Sequence, residues 1–230
     1  MAQTNSLALK LALITLMVDS ILELSFVAAT VGWLHNTASG TFAVRFGGST
    51  FELRGEPANL LTDQGHTSNG AAGTAFVLVG LGGIIALWLR GGRYRASRLG
   101  VFMYYFWVTI NILAVLLTLA ALAYVFAVTR AHDGQDIDVS LASTLHGRKY
   151  PLGTWTPQNW FAAVLRLDVA NGGVLRDIRS HYRIMLGWQY NLIPMFVIQL
   201  ATTVLAVVDC LRWREETRYG CVVQAVEVKA

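Results

Sequence analysis

Four apolar runs dominate this chain and leave few folds open to it. They cover Leu7–Leu34, Ala71–Leu89, Leu99–Thr129 and Ile184–Trp213, of 28, 19, 31 and 30 residues. Each is long enough to cross a bilayer as a helix, which takes about 17–25 residues. The chain is 54% hydrophobic and only 14% charged, against about 25% charged for an ordinary soluble domain. A soluble fold, a single-pass receptor and an outer-membrane barrel are excluded on this pattern. The expected class is an all-α membrane protein: a four-transmembrane-helix bundle with a small outer cap containing a β-hairpin and short helices. The spans divide the chain into a first outer loop, 35–70, a short connection, 90–98, a second outer loop, 130–183, and a tail, 214–230.

Charge sets the expected sidedness. The connection Arg90–Arg98 carries four arginines and no acid, so it belongs in the cytoplasm. The tail, with Arg212, Arg214, Arg218 and Lys229, belongs on the same side. Four spans then place both termini inside. Trp33 and Trp188 sit at the outer span ends, and Trp88 and Trp213 at the inner ones, as aromatic anchors. The first run reads as a span and not as a cleaved leader, because it is too long and holds two acids. The net charge of +4 follows from topology and implies membrane lipids, not nucleic acid, as the partner.

Residue types with chemical reach are sparse. Neither outer loop has a cysteine, so no disulfide framework holds the loops. Cys210 and Cys221, at and beyond the end of the fourth span, are juxtamembrane candidates for S-palmitoylation. The five histidines lie in the loops or at their edges, which rules out paired haem ligation within the bundle. No CxxC, HExxH or Walker motif occurs. No enzyme chemistry and no cofactor are expected. The acids of His132–Asp138 make a calcium site conceivable, but the EF-hand pattern is absent.

The outer loops carry local signals. Residues 41–54 alternate around Gly47-Gly48, which predicts a hairpin pairing Val44 with Phe51 and Phe42 with Leu53. Thr156 before Pro157 predicts a helix start, followed by the apolar stripe Trp160, Phe161, Val164 and Leu165. That stripe packs on the hairpin or forms a surface for a partner. Phe42, Phe46, Phe51, Trp160 and Phe161 are the candidate assembly surface on the cap. Gly80 and Gly83, in the small-sided second span, are its counterpart in the membrane.

Asp19 and Glu23 are four apart on one helical face, near mid-membrane, where an unpaired charge costs about 2.5–3.5 kcal/mol on insertion scales. Thr15 and Thr30 extend that face. Asn111 and Gln199 lie at matching depth in spans three and four. Asp19, Glu23, Asn111 and Gln199 are therefore expected to form a buried polar layer. It is either a packing network or a proton or cation pathway. Pro194 is expected to bend the fourth span.

Val31-Gly32-Trp33-Leu34 followed by the hairpin, within four spans and a long third one, resembles the claudin/PMP22/SUR7-like four-span superfamily. The chain has no cysteine in the loops, where that superfamily carries a pair. The resemblance implies lateral assembly through outer loops, hence a homo-oligomer or other membrane proteins as partners. The role it implies is in membrane organisation, a junction or a scaffold. A pore or ion-coupled carrier using Asp19 and Glu23, and an accessory subunit of a larger complex, are the alternatives.

Overall fold

A computed structural model describes residues 2–91 and 98–227, with side chains described for 7–90 and 98–215. The protein is 75% helical. In chain order it comprises α1 (Ala2–Trp33) with a terminal π turn (Leu34–Ala38), then β1 (Thr41–Phe46) and β2 (Ser49–Arg54). α2 (Asp63–Thr74), a π segment (Ala75–Leu81) and α3 (Gly82–Gly91) follow, then α4 (Arg98–Ala131). α5 (Val139–Thr144), α6 (Pro157–Val164) and α7 (Gly172–Glu227) complete it. Among the described residues, four helical stretches are long and apolar enough to cross a membrane: Leu7–Ala38, Asp63–Arg90, Arg98–Ala131 and Gly172–Glu215. Only 28–33% of the most apolar window of each is buried within the chain. The remainder is apolar and exposed, as residues facing hydrocarbon are. The chain is a multi-pass membrane protein.

Two of these helices begin well before their apolar runs. The second starts at Asp63, inside the expected first loop, and the fourth at Gly172, inside the expected second. These added segments carry polar and charged residues among the apolar ones, and Gln64, Ser68 and Ile178 in them are buried. Tertiary packing outweighs composition at such positions.

The chain divides into two compact units. The first contains Met1–Ile21, Ala71–Leu119 and Pro194–Ala230. Its helices pack closely on glycine. A Cβ on Gly83 would lie 2.9 Å from Cζ2 of Trp107 and 3.1 Å from Leu13. One on Gly80 would collide with the Met17 side chain. The π segment loosens the backbone ladder, and the carbonyl of Val79 within it accepts the Trp107 indole N–H at 3.0 Å.

The second unit contains Leu22–Gly70 and Ala120–Ile193. Its hairpin has the expected register, Val44 opposite Phe51 and Phe42 opposite Leu53. Gly47 and Gly48 take φ of +59° and +81°, as a two-residue turn matched to strand twist requires. An isolated hairpin is marginal in water, and this one is not isolated. Arg45 N–H donates to the Asp168 carbonyl and Ala170 N–H to that of Ala43, both at 2.8 Å. Gly147 N–H donates to Glu52 on the opposite edge at 3.1 Å. Thr156 caps α6 by accepting from Asn159 N–H, with Pro157 in the first turn. The core of this unit is aromatic: Trp155, Trp160 and Phe161 are each at most 2% exposed. The Trp160 indole donates to the Gly55 carbonyl at 2.7 Å.

α5 is capped by Asp138, whose carboxylate accepts from Ser140 Oγ at 2.8 Å and Leu141 N–H at 3.2 Å. These bonds favour the charged form and hold its carboxyl below the usual carboxylate range. The cap is therefore complete above the ordinary Asp value of about 3.9. It is lost as pH falls through the lowered folded value. Amide exchange at Leu141 is expected to speed up on acidification relative to a core amide such as Val164. In Asp138→Asn this extra acid sensitivity should vanish.

Candidate functional site

The polar residues of the spans are the strongest site candidates, because burying a polar group in hydrocarbon is costly unless it is bonded. In the first unit, Asn111 and Gln199 are fully buried, and Asp19 is 9% exposed. Thr203 lies one turn beyond Gln199. Its hydroxyl sits 2.8 Å from the Gln199 carbonyl and 3.3 Å from that of Asn111, sharing one hydrogen between two helices. The Asn111 amide donates to the Trp107 carbonyl at 3.0 Å. Asn111 Oδ1 and both polar atoms of the Gln199 amide have no hydrogen-bond partner among the described residues. Each such buried group costs about 1–3 kcal/mol. The cluster is thus a buried polar layer with open donor and acceptor positions.

The expected four-residue layer divides between the two units. Asp19, Asn111 and Gln199 belong to the first. Glu23 belongs to the second, where Ser68 Oγ donates to its Oε1. Thr15 is exposed, and Thr30 is buried. Each bonds its own helix, to the Leu11 and Phe26 carbonyls.

A second buried cluster in the first unit escaped the sequence reading. Arg90, at the end of α3, donates through both terminal nitrogens to the Asp209 carboxylate on α7. Tyr104 OH donates to the same carboxylate at 2.6 Å. The guanidinium lies 4.7 Å from the Tyr104 ring centroid and 5.7 Å from that of Trp213. The signal was present: an acid near the end of span four and an arginine at the end of span two share one membrane depth. In the sequence Arg90 reads as the first residue of the basic connection 90–98.

In the second unit a chain of amides ties three elements. Gln64 Nε2 donates to Gln158 Oε1 at 3.1 Å, and Thr129 Oγ donates to Gln64 Oε1 at 3.3 Å. Asn159 Nδ2 donates to the Thr129 carbonyl at 2.7 Å. Trp33 donates to Asp177 at 2.7 Å and stacks on His181 at 4.6 Å between centroids.

Several expected surface residues lie inside. Phe42, Trp160 and Phe161 are interior residues of the second unit, so the apolar stripe packs on the hairpin and is no contact surface. Phe51 is half-buried, and Phe46 is exposed. Gly80 and Gly83 are filled by this chain's own side chains. Trp33, Trp188 and Trp213 are buried, which is not how interfacial anchors sit. Trp88 is 67% exposed. Cys210 is buried, which withdraws it from an acyl donor. The side chain of Cys221 lies outside the described residues, as do Arg93, Arg95, Arg218 and Lys229. The three loop acids take separate partners: Asp133 bonds Gly134 N–H, Asp136 pairs with Arg166, and Asp138 caps α5.

Comparison with family models, with curated proteins and with solved structures finds no match to this chain.

Proposed function

We propose that this chain is a non-enzymatic four-span protein that associates laterally with its own copies and organises the membrane around it. The observation that carries the reading is the second unit. It is a folded module with an aromatic core, built without a disulfide, and a rigid module presents one fixed surface for repeated contacts. With Phe42 and Trp160 committed to the core, the hairpin tip becomes the contact, where Phe46 is 45% exposed beside Arg45. The basic flanks support an orientation with both termini in the cytoplasm and the hairpin outside. The likeness to claudin-type proteins belongs with this reading, as do membrane lipids and neighbouring membrane proteins as partners.

The test is particle mass in mild detergent, by light scattering with detergent subtraction. A discrete multiple of 25.2 kDa is expected for the unmodified chain, and a smaller particle for Phe46→Glu. A lone chain in the unmodified protein would overturn the reading.

The open amides in the first unit favour a second one, a proton or cation pathway past Asp19. Unpartnered Asn111 and Gln199 atoms are suited to water or an ion in a way that a purely structural network is not. It predicts pH-dependent flux in liposomes, reduced at least about tenfold by Gln199→Leu or Asp19→Asn. Absence of flux across several cations would remove it.

A further inference from the structure

The second unit holds an open cleft of about 390 Å³ that neither reading above uses. Arg130 and Asp133 line it where α4 ends at Ala131. They stand three residues apart and are both exposed, yet they form no ion pair with each other or with any other described residue. Two opposite charges therefore face one cleft without neutralising each other. Its floor is fixed in advance. Asn159 is held by the Thr129 carbonyl at 2.7 Å, and Gln158 Nε2 donates to the Met185 carbonyl at 3.4 Å. Gln189, 5% exposed, lies in the wall with an amide oxygen that has no partner among the described residues. Tyr182 and Tyr190 supply aromatic wall, the latter edge-on to Phe126 at 5.5 Å.

The cleft sits where a long apolar helix gives way to charged residues, which is headgroup depth for a spanning segment. On the same unit, Tyr190 and Ile193 are exposed by 53% and 44% and continue the apolar surface along α7. A polar head with both charges and an apolar continuation describe one class of molecule. We infer that this cleft binds the headgroup of a zwitterionic phospholipid. The phosphodiester lies against Arg130, and the ammonium lies against Asp133 and the tyrosine rings, where cations are attracted to aromatic faces. An anionic headgroup such as phosphatidylglycerol brings Asp133 hydroxyls but no cation, and its net negative charge is repelled by the carboxylate.

The full chain in a maltoside detergent is titrated with dihexanoyl phosphatidylcholine, dihexanoyl phosphatidylglycerol and glycerophosphocholine, with binding counted by native mass spectrometry. One phosphatidylcholine per chain is expected, held about tenfold more tightly than phosphatidylglycerol. Arg130→Gln should weaken phosphatidylcholine about tenfold, and Asp133→Asn should erase the preference over phosphatidylglycerol. Both side chains are exposed, so neither change threatens the fold, and an unshifted melting temperature confirms that. Equal binding of the two lipids, indifference to both substitutions, or no binding overturns the inference. Glycerophosphocholine binding as tightly as the lipid would overturn its lipid part.

Discussion

Trp160→Ala is expected to cost about 3–5 kcal/mol, the usual range for removing a buried aromatic side chain. Trp160 is fully buried. Its ring meets Trp155 edge-on at 5.1 Å and lies 5.8 Å from Tyr150. Alanine would leave a cavity among rigid rings that cannot collapse into it. It would also strip the indole donor from the Gly55 carbonyl, which lies beside a backbone contact too close for relaxation. A Cβ on Gly55 would already collide with the Ala38 carbonyl. No disulfide limits the unfolded ensemble of this unit, so no covalent link offsets the loss of packing and of that hydrogen bond. Near-ultraviolet circular dichroism through a thermal melt should show aromatic order lost at lower temperature while far-ultraviolet helicity persists. A change under about 1 kcal/mol would mean that the aromatic cluster is not what holds the hairpin unit together.

The second large effect is expected at Arg90 and Asp209. Each is mostly buried, with side chains 20% and 11% exposed. Removing one partner of a buried pair strands the other and typically costs about 3–5 kcal/mol. Arg90→Met leaves the Asp209 carboxylate with Tyr104 as its side-chain donor among the described residues. Asp209→Leu leaves a guanidinium between two aromatic rings. Replacing both together removes the charge and the desolvation cost at once, and should recover most of the stability. Thermal unfolding of the two single variants and the double variant in one detergent gives the coupling directly. Additive losses would show that the two charges act independently.

What was legible in the sequence was local. The hairpin register follows from alternation and the Gly47-Gly48 turn, both confined to 14 residues. The start of α6 follows from the adjacent Thr156 and Pro157. The four spans follow from run length. The rest depended on distant neighbours. Phe42 and Phe46 share one strand face and the same residue type, yet one is core and the other tip, because only Phe42 lies over the aromatic cluster. Gln64 reads as a loop residue until Gln158, 94 positions away, gives it a partner. Asp209 and Arg90 are 119 positions apart. Both lie at the same end of their spans, so matching depth joins them as it joins Asn111 and Gln199. For those two, Thr203 bridges to the Asn111 carbonyl, but their own amides do not meet one another among the bonds formed.

The outer edge of β1 is occupied by residues 168–170, and on β2 Gly147 takes the Glu52 carbonyl. A strand edge is a generic adhesive: its backbone groups accept any extended chain, whatever its sequence. With the β1 groups already spoken for locally, this module cannot recruit a neighbour along that edge, and copies cannot stack into a filament through ladders running from edge to edge. Whatever meets the β1 edge must be chosen by side chains. Its contacts are then free to be selective, and one surface substitution can change the partner without touching the scaffold beneath.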